Sequence, residues 1–442
     1  MAQILASGNK TGNNISYTSA TSSPYVLQEL RRLAESSRTG KVTIIAHSNG
    51  GLVAKALMQQ LGSVETAKLV DKVVFVAVPQ IGTPLTVASL LHGEELGIAP
   101  LLSANASRII GQNMPGIYNL LPSTSYFSNV TDPVITFDPA TMSDWTSKYG
   151  SIVHDSAGLR AFMTDSTRTK PVLDDLVTPE INNPVLFDAA QTVHDQLDSW
   201  IPPVGVQVVD IAGWGNETFS GIVYKKVRSS CVLGTVVCFG GYALTYSPQH
   251  VIDGDGTVVT ASALWANGAL STRYWVDLPS YNINNRIEAT PFGRVHRDIL
   301  EVPQLRALLA NILTATTTAP LPQYISTLAP SFTGTGNRLH FTLHSPLTLG
   351  FTDVSGNYTG ATATSTIFNI PGVQYEKYGD VQWISIPEDI AGKLVMHGTA
   401  SGSFTLDAEG TSGNEVMSTT SFEGISSATS TIATIDIDPF VS

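Results

Sequence analysis

The sequence predicts a mixed α/β fold in which helices cover a parallel sheet, with a separate all-β module after it. Three observations support this prediction. Continuous apolar runs of strand length, at residues 42–46, 72–78 and 204–213, alternate with helical patterns, as strands buried on both faces do. Residues 85–203 lack this alternation and read as an insertion. From Thr314 onward, apolar residues recur with period two, which is typical of antiparallel strands.

The composition is that of a lightly charged globular chain, and its length allows two or three domains. Hydrophobic residues make up 43% of the 442 residues and charged residues 14%. The formal net charge is −12, and no cluster of Lys and Arg exceeds the pair Lys225-Lys226 with Arg228. This balance excludes nucleic acid as a partner. No window approaches 18 consecutive apolar residues, so no transmembrane helix is predicted.

The sharp turn after the first strand has the pattern of a nucleophile elbow. Residues 42–57 run through an apolar strand, the turn HSNGG and a helix-forming stretch. The strained backbone of an elbow requires small residues two positions either side of the nucleophile, and here these are Ala46 and Gly50. Ser48 is therefore the candidate nucleophile of an α/β-hydrolase. Asn49, at the N-terminus of the following helix, offers its amide N–H to an oxyanion.

The segment before the first helix is short for this fold. That helix is predicted over residues 25–37, after an N-cap at Ser23 and a proline at the first helical position. Residues 1–23 are too few for the strands and oxyanion loop that usually precede it, so the sheet is expected to be N-terminally incomplete. Residues 1–10 lack the basic start and apolar core of a signal peptide. From the abrupt start and end we expect an excised piece or a fragment of a longer protein.

A serine nucleophile needs a histidine base and a carboxylate that orients it, and in this fold the chain order is serine, acid, histidine. Asp255 lies between two glycines in the turn DGDGTV and is the candidate acid, with Asp253 as the alternative. A calcium loop is excluded because no glutamate stands at its twelfth position. His296, ahead of the terminal helix, is the candidate base, and the alternative is a surface residue at a helix start. His47 is expected to support the elbow, with its side chain pointing away.

The other histidines are weaker candidates for the catalytic base. His250 stands too close before the acid, and His154 and His194 fall in the insertion. In the β module, separate strands are expected to carry His340, His344 and His397, and these histidines are expected to have structural roles. No metal site and no cofactor are expected.

The domain boundaries follow from the same patterns. Residues 1–84 and 204–315 are predicted to form the hydrolase core, with residues 85–203 as a cap or lid inserted between them. Lids of this kind gate apolar substrates and exclude water. Residues 316–322 read as a linker, and residues 323–442 as a β-sandwich-like accessory domain.

The two cysteines of the chain, Cys231 and Cys238, flank a predicted strand–turn–strand segment. A hairpin there would bring them close enough for a disulfide, which would favour an extracytoplasmic location. Two buried free thiols are the alternative, and the sequence does not separate the two.

An ordered set of motifs resembles the lecithin:cholesterol acyltransferase-like lipases. The set is AHSNGGLVAK, VAVPQIGTP, NMPGIYNLLPSTSYF, DIAGWGNET and DGDGTV, and it extends over residues 20–315. The resemblance implies Ser48, Asp255 and His296 as a catalytic triad, the insertion as lid-bearing, and phospholipid or acylglycerol esters as substrates. Members of this family commonly carry Met where Asn49 stands. The β module lies outside the resemblance.

These observations favour a serine esterase or lipase that hydrolyses lipid or other apolar carboxylic esters through an acyl-enzyme. The first alternative is acyl transfer or phospholipid cleavage by the same chemistry. The second is a non-catalytic surface-binding protein with a relic hydrolase core, and a peptidase on the same fold is a third. An extracytoplasmic monomer is expected, and peripheral contact with a membrane or lipid surface is compatible with this assignment.

Overall fold

The computed structural model of the protein describes residues 9–11, 14–16, 25–93, 103–168, 175–228, 242–265, 271–285, 293–314, 320–330, 336–344, 346–362 and 365–438. Within these residues the helices end at Thr314, and the elements beyond it are strands. No helix in the described part of the chain is long and apolar enough to span a membrane.

The α-helices are, in chain order, α1 (Tyr25–Ser36), α2 (Gly50–Leu69), α3 (Leu85–His92), α4 (Ala104–Gly111), α5 (Pro115–Tyr118), α6 (Thr124–Asn129), α7 (Ser143–Tyr149), α8 (Ser156–Met163), α9 (Pro184–Leu197), α10 (Thr260–Ala263), α11 (Leu278–Asn284) and α12 (Pro303–Thr314). A 3₁₀ helix spans His296–Glu301.

The strands are β1 (Asn9–Thr11), β2 (Asn14–Ser16), β3 (Val42–His47), β4 (Val70–Val76), β5 (Ile135–Phe137), β6 (Gln207–Trp214), β7 (Thr218–Arg228), β8 (Tyr242–Val251), β9 (Ser271–Asp277), β10 (Ile325–Ser326), β11 (Asn337–His344), β12 (Leu347–Asp353), β13 (Tyr358–Ala361), β14 (Thr366–Phe368), β15 (Gln374–Tyr378), β16 (Val381–Pro387), β17 (Gly392–Gly398), β18 (Gly402–Ser412), β19 (Glu415–Ser427) and β20 (Ile432–Ile437).

The main sheet has the strand order β10-β9-β6-β4-β3. β3, β4, β6 and β9 run parallel, and β10 is antiparallel to β9. One hydrophobic cluster joins its first face to α1 and α2, and another joins its second face to α11 and α12. The mixed α/β architecture and the three apolar runs read as parallel strands are therefore confirmed.

The fourth parallel strand, β9, was not predicted from the sequence. Its residues Thr272 and Arg273 are exposed, and Val276 is its fully buried apolar residue. Because β9 lies near the edge of the sheet, it lacks the continuous apolar run that identifies β4.

The cap consists of α3 to α9 and the short strand β5. Its core is rich in aromatic residues, and the Phe137 ring lies within 6 Å of the rings of Trp145, Tyr149, Phe162 and Tyr224. Edge-to-face and tilted ring pairs of this kind stabilise a core beyond simple burial of area. The hydrophobic cluster of this segment also includes Tyr224 of β7, Tyr246 of β8 and Tyr378 of β15, so the segment shares its core with the hairpin and the C-terminal module.

A long antiparallel hairpin, β7 and β8, joins the cap to the main sheet. β7 pairs with β5 in parallel and with β8 in an antiparallel register that runs from Thr218 opposite Val251 to Arg228 opposite Tyr242. The hairpin begins just after β6 and ends just before the turn that contains Asp255. Cys231 and Cys238 lie outside the described residues, between the two strands.

The C-terminal module is all-β and antiparallel, as predicted. Its two sheets have the strand orders β15-β16-β11-β18-β19 and β14-β13-β12-β17-β20. Buried side chains of both sheets form one hydrophobic cluster that includes Phe341, Phe351, Ile384 and Leu394. Two antiparallel sheets around one shared core are the arrangement that a sandwich-like module requires.

The prediction that the histidines of this module lie in separate strands was wrong for one pair. His340 and His344 both lie on β11, four residues apart, and His397 lies on β17. Side chains four apart on a strand share a face, and here that face meets the hairpin. The module therefore packs directly on the hydrolase part of the chain.

Candidate active site

The turn between β3 and α2 holds Ser48 in a left-handed backbone conformation, with a φ of 54°. For a residue other than glycine this conformation costs ~1–2 kcal/mol. Two hydrogen bonds fix it: Ser48 N donates to Val76 O at 3.1 Å, and Ser48 O accepts from Gly51 N at 3.0 Å. The sequence pattern thus corresponds to an observed strained strand–turn–helix.

Only one of the two small residues expected to make room for the elbow lies in a crowded place. Ala46 is buried in the core, as expected. At the exposed Gly50, however, an added Cβ would meet nothing within 4 Å, whereas at Gly51 it would overlap the side chain of Val78. The expectation that Gly50 supplies the necessary space was wrong, and the close approach of helix to sheet depends on Gly51.

Asp255 is fully buried in the turn that follows β8. Its Oδ1 accepts hydrogen bonds from the backbone N–H groups of Thr257 at 3.0 Å and Val258 at 2.8 Å. Its Oδ2 lies 2.8 Å from His296 Nδ1. The carboxylate is therefore held on one oxygen by backbone amides and faces the imidazole with the other.

His296 begins the 3₁₀ helix, and its backbone N–H donates to Asp255 O at 2.9 Å. Its Nε2 lies 2.9 Å from Ser48 Oγ. Because Nδ1 donates to the carboxylate, Nε2 is free to accept the serine proton. Burial opposes the charged ring, but the charge and hydrogen bond of Asp255 outweigh it and raise the pKa of His296. The structure brings together the three candidate residues, and Asp255 rather than Asp253 contacts the imidazole.

His47 lies beside the candidate base. Its Nε2 donates to the backbone carbonyl of His296 at 2.9 Å, and the two ring centroids are 5.0 Å apart. Burial and the neighbouring His296 lower the pKa of His47, which keeps its ring neutral. His47 thus supports the site from the strand, but its side chain does not point away from His296 as alternation predicted.

Three residues that were not predicted from the sequence support the turn that contains Asp255. Asn216 N donates to Gly254 O at 3.1 Å, and Thr218 Oγ1 accepts from Gly256 N at 2.8 Å. At Gly213 an added Cβ would lie 2.6 Å from the Cβ of Asp255. All three belong to the segment DIAGWGNET, which is one of the motifs that carry the family resemblance, and this membership is the signal that could have identified them.

Asn49 is the N-cap of α2. Its backbone carbonyl accepts from Leu52 N and Val53 N, and within the described residues its own N–H has no acceptor. An amide N–H free at a helix N-terminus, next to the nucleophile, is suited to stabilise an oxyanion.

Three other histidines have acidic partners away from Ser48. His194 bonds Asp198, His250 bonds Glu376, and His344 bonds Asp407. Within the described residues, no group of three or more His, Cys, Asp or Glu side chains could hold a metal ion.

No curated protein matches the chain. Among solved structures it is similar to the Tle4–Tli4 complex, at 20% identity and a TM-score of 0.34, covering 56% of this chain and 56% of that chain. The chain thus spans little more than half the length of that relative. It is also similar to the lipase BlEst2 of Bacillus licheniformis in its propeptide form, at 12% identity and a TM-score of 0.32, covering 90% and 81% of the two chains. The family model of lecithin:cholesterol acyltransferase matches residues 23–300, more than half of the sequence. The chain belongs to the lecithin:cholesterol acyltransferase family.

Proposed function

We propose that the protein is a serine esterase that cleaves lipid or other apolar carboxylic esters through an acyl-enzyme on Ser48. The observation that carries this proposal is the continuous hydrogen-bonded series from Ser48 Oγ through His296 to the buried Asp255, with Ser48 in a left-handed conformation. Membership of the lecithin:cholesterol acyltransferase family supports a lipid ester as the substrate class.

The proposed reaction begins when Ser48 Oγ attacks the acyl carbonyl and its proton passes to His296 Nε2. The Asn49 N–H donates to the oxyanion of the tetrahedral intermediate. His296 then gives the proton to the leaving alcohol, which departs and leaves the acyl group on Ser48. Water attacks the acyl-enzyme with His296 as the base, and the acid is released. Asp255 holds the ring orientation throughout and stabilises the imidazolium.

Hydrolysis of p-nitrophenyl esters of short and long fatty acids tests this proposal. We expect Ser48→Ala to reduce kcat by roughly 10³-fold or more, because the nucleophile and its proton transfer are lost together. Equal rates for the variant and the unaltered protein would contradict the proposal and favour a binding protein with a relic hydrolase core.

Acyl transfer is the second candidate, and the family assignment favours it. It has the same first half-reaction, with an alcohol in place of water as the second nucleophile. Adding an apolar alcohol to the assay separates the two candidates, since a transferase forms a new ester while a hydrolase releases free acid.

Contact with a lipid surface belongs to the same proposal. Four apolar side chains on or next to the cap helices are exposed: Ile109 and Ile110 on α4, Met114 just before α5, and Val185 on α9. Exposed apolar groups of this kind are suited to insert into a lipid interface. We further propose that the protein acts as a monomer outside the cytoplasm, where such lipid surfaces are accessible to it.

A further inference from the structure

The C-terminal module reaches the hydrolase part of the chain through a buried carboxylate, Glu217, whose residue is only 6% exposed. Arg338 Nε lies 2.9 Å from Glu217 Oε2, and His340 Nε2 contacts Glu217 Oε1. Arg338 and His340 are both on β11 of the module. A single acidic side chain of the hydrolase is therefore held by two side chains of the module.

The module fixes these two partners firmly. Arg338 also donates to Ser385 Oγ at 2.6 Å and to Gly372 O at 2.7 Å, and the His340 ring lies 5.2 Å from that of Trp383. Burial alone would raise the pKa of Glu217, but Arg338 and His340 hold it well below its usual range. The buried carboxylate is thus charged, and its position is set by residues of the module.

The chain neighbours of Glu217 hold the acid turn and the base loop. Thr218 Oγ1 donates to Asn216 O at 2.8 Å and accepts from Gly256 N at 2.8 Å. Asn216 N donates to Gly254 O at 3.1 Å, and Asn216 Nδ2 donates to Arg294 O at 3.2 Å, two residues before His296. Three consecutive residues therefore connect the module on one side with the loops of Asp255 and His296 on the other.

We propose that Glu217 is a positioning residue for the reaction, and that the C-terminal module is required for catalytic geometry through its ion pairs with Arg338 and His340. This inference rests on the proposed role of Ser48, Asp255 and His296. Without the ion pairs, residues 216–218 lose their anchor, the acid turn moves relative to the imidazole, and the hydrogen bond from His296 Nδ1 to Asp255 weakens.

The test compares two variants of the full chain that each remove one charge, Glu217→Gln and Lys225→Gln. Lys225 is the matched control because it also spans the module interface, to Asp407 at 2.8 Å. It lies on β7, eight residues after Glu217 in the chain and about 25 Å from it along the strand. We expect Glu217→Gln to lower kcat for a p-nitrophenyl ester 10- to 100-fold with KM changed less than twofold. The acidic limb of the pH profile of kcat/KM should also move to lower pH, because Asp255 then stabilises the protonated His296 less. Lys225→Gln should change neither kcat nor the pH profile.

The outcomes distinguish failure of the role of Glu217 from failure of the proposed function. Equal kcat and pH profiles for the two variants would overturn the inference while leaving the nucleophile intact. If a fluorophosphonate does not label Ser48 in the unaltered protein, the proposed function itself fails, and the inference fails with it.

A second variant covers the case in which Glu217→Gln does not fold, because that change takes the carboxylate partner from the half-buried Arg338. Glu217→Gln combined with Arg338→Gln removes both charges; the first change keeps the side-chain size and the second shortens the side chain. A folded double variant should show the same loss of kcat and the same pH shift. Activity equal to that of the unaltered protein would overturn the inference.

Discussion

At the residue scale, the chemistry depends on which atoms of Ser48, His296 and Asp255 face one another. The sequence predicted the three residues because their order is fixed by the fold, and glycines flank the acid. It could not predict His47 beneath the base, since period-two alternation places a side chain on a face of the sheet but says nothing about a loop that folds over that face. The same applies to Asn216 and Thr218, whose roles depend on contacts with residues about 40 positions away in the chain.

Asp255→Asn should remove the carboxylate that orients His296. We expect a loss in kcat of about 10⁴-fold, because the amide favours the wrong imidazole tautomer. Asp255 also raises the pKa of His296, so activity falls as the pH drops through that raised value. In the variant the acidic limb should move to lower pH. A pH–rate profile measures both quantities, and an unmoved limb would show that Asp255 does not act on His296.

At the element scale, the strand–elbow–helix unit was predicted closely: α1, β3 and α2 begin within two residues of the expected positions. The apolar run and the turn signal are local, so they appear in the sequence. The close contact of α2 with Val78 is not local, so the elbow pattern predicted Gly50 instead of Gly51 as the residue that needs to be small.

Gly51→Ala should destabilise the protein by about 1–3 kcal/mol, because its methyl group overlaps Val78 in a packed core. Gly50→Ala is the control, since its methyl group meets open space and alanine is the better helix former by about 0.5–1 kcal/mol. Urea unfolding of the two variants provides the comparison. A smaller loss for Gly51→Ala than for Gly50→Ala would be inconsistent with this packing.

At the scale of the whole molecule, the cap, the hairpin and the C-terminal module pack around His92. Its Nδ1 donates to Leu176 O at 2.8 Å, its Nε2 accepts from Tyr224 at 2.7 Å, and its ring stacks on Tyr246 at 3.7 Å. Tyr246 in turn donates to Tyr378 O of the module at 2.6 Å. The sequence distinguishes the two segments only by pattern, since period-two alternation begins after Thr314. Their mutual packing depends on contacts between distant segments, which periodicity does not encode.

Burial lowers the pKa of His92 to about 3 from its ordinary 6.5. The unfolded chain therefore binds a proton below pH 6.5 that the folded protein does not, and stability falls as the pH drops from 6.5 towards 3. Between pH 7 and pH 5 this amounts to about 2 kcal/mol. His92→Gln lacks the titrating group, so the stability difference between the two proteins in urea should shrink by that amount over this range. A difference that stays constant with pH would contradict the assignment.

The central claim is that Ser48 is a nucleophile activated by His296. Reaction with a fluorophosphonate, followed by mass spectrometric mapping of the labelled peptide, tests it most directly, because the probe reacts with activated serines. The account predicts one label per chain, on Ser48, and strongly reduced labelling in His296→Ala. Labelling of another residue, or labelling of Ser48 that is unchanged in His296→Ala, would contradict it.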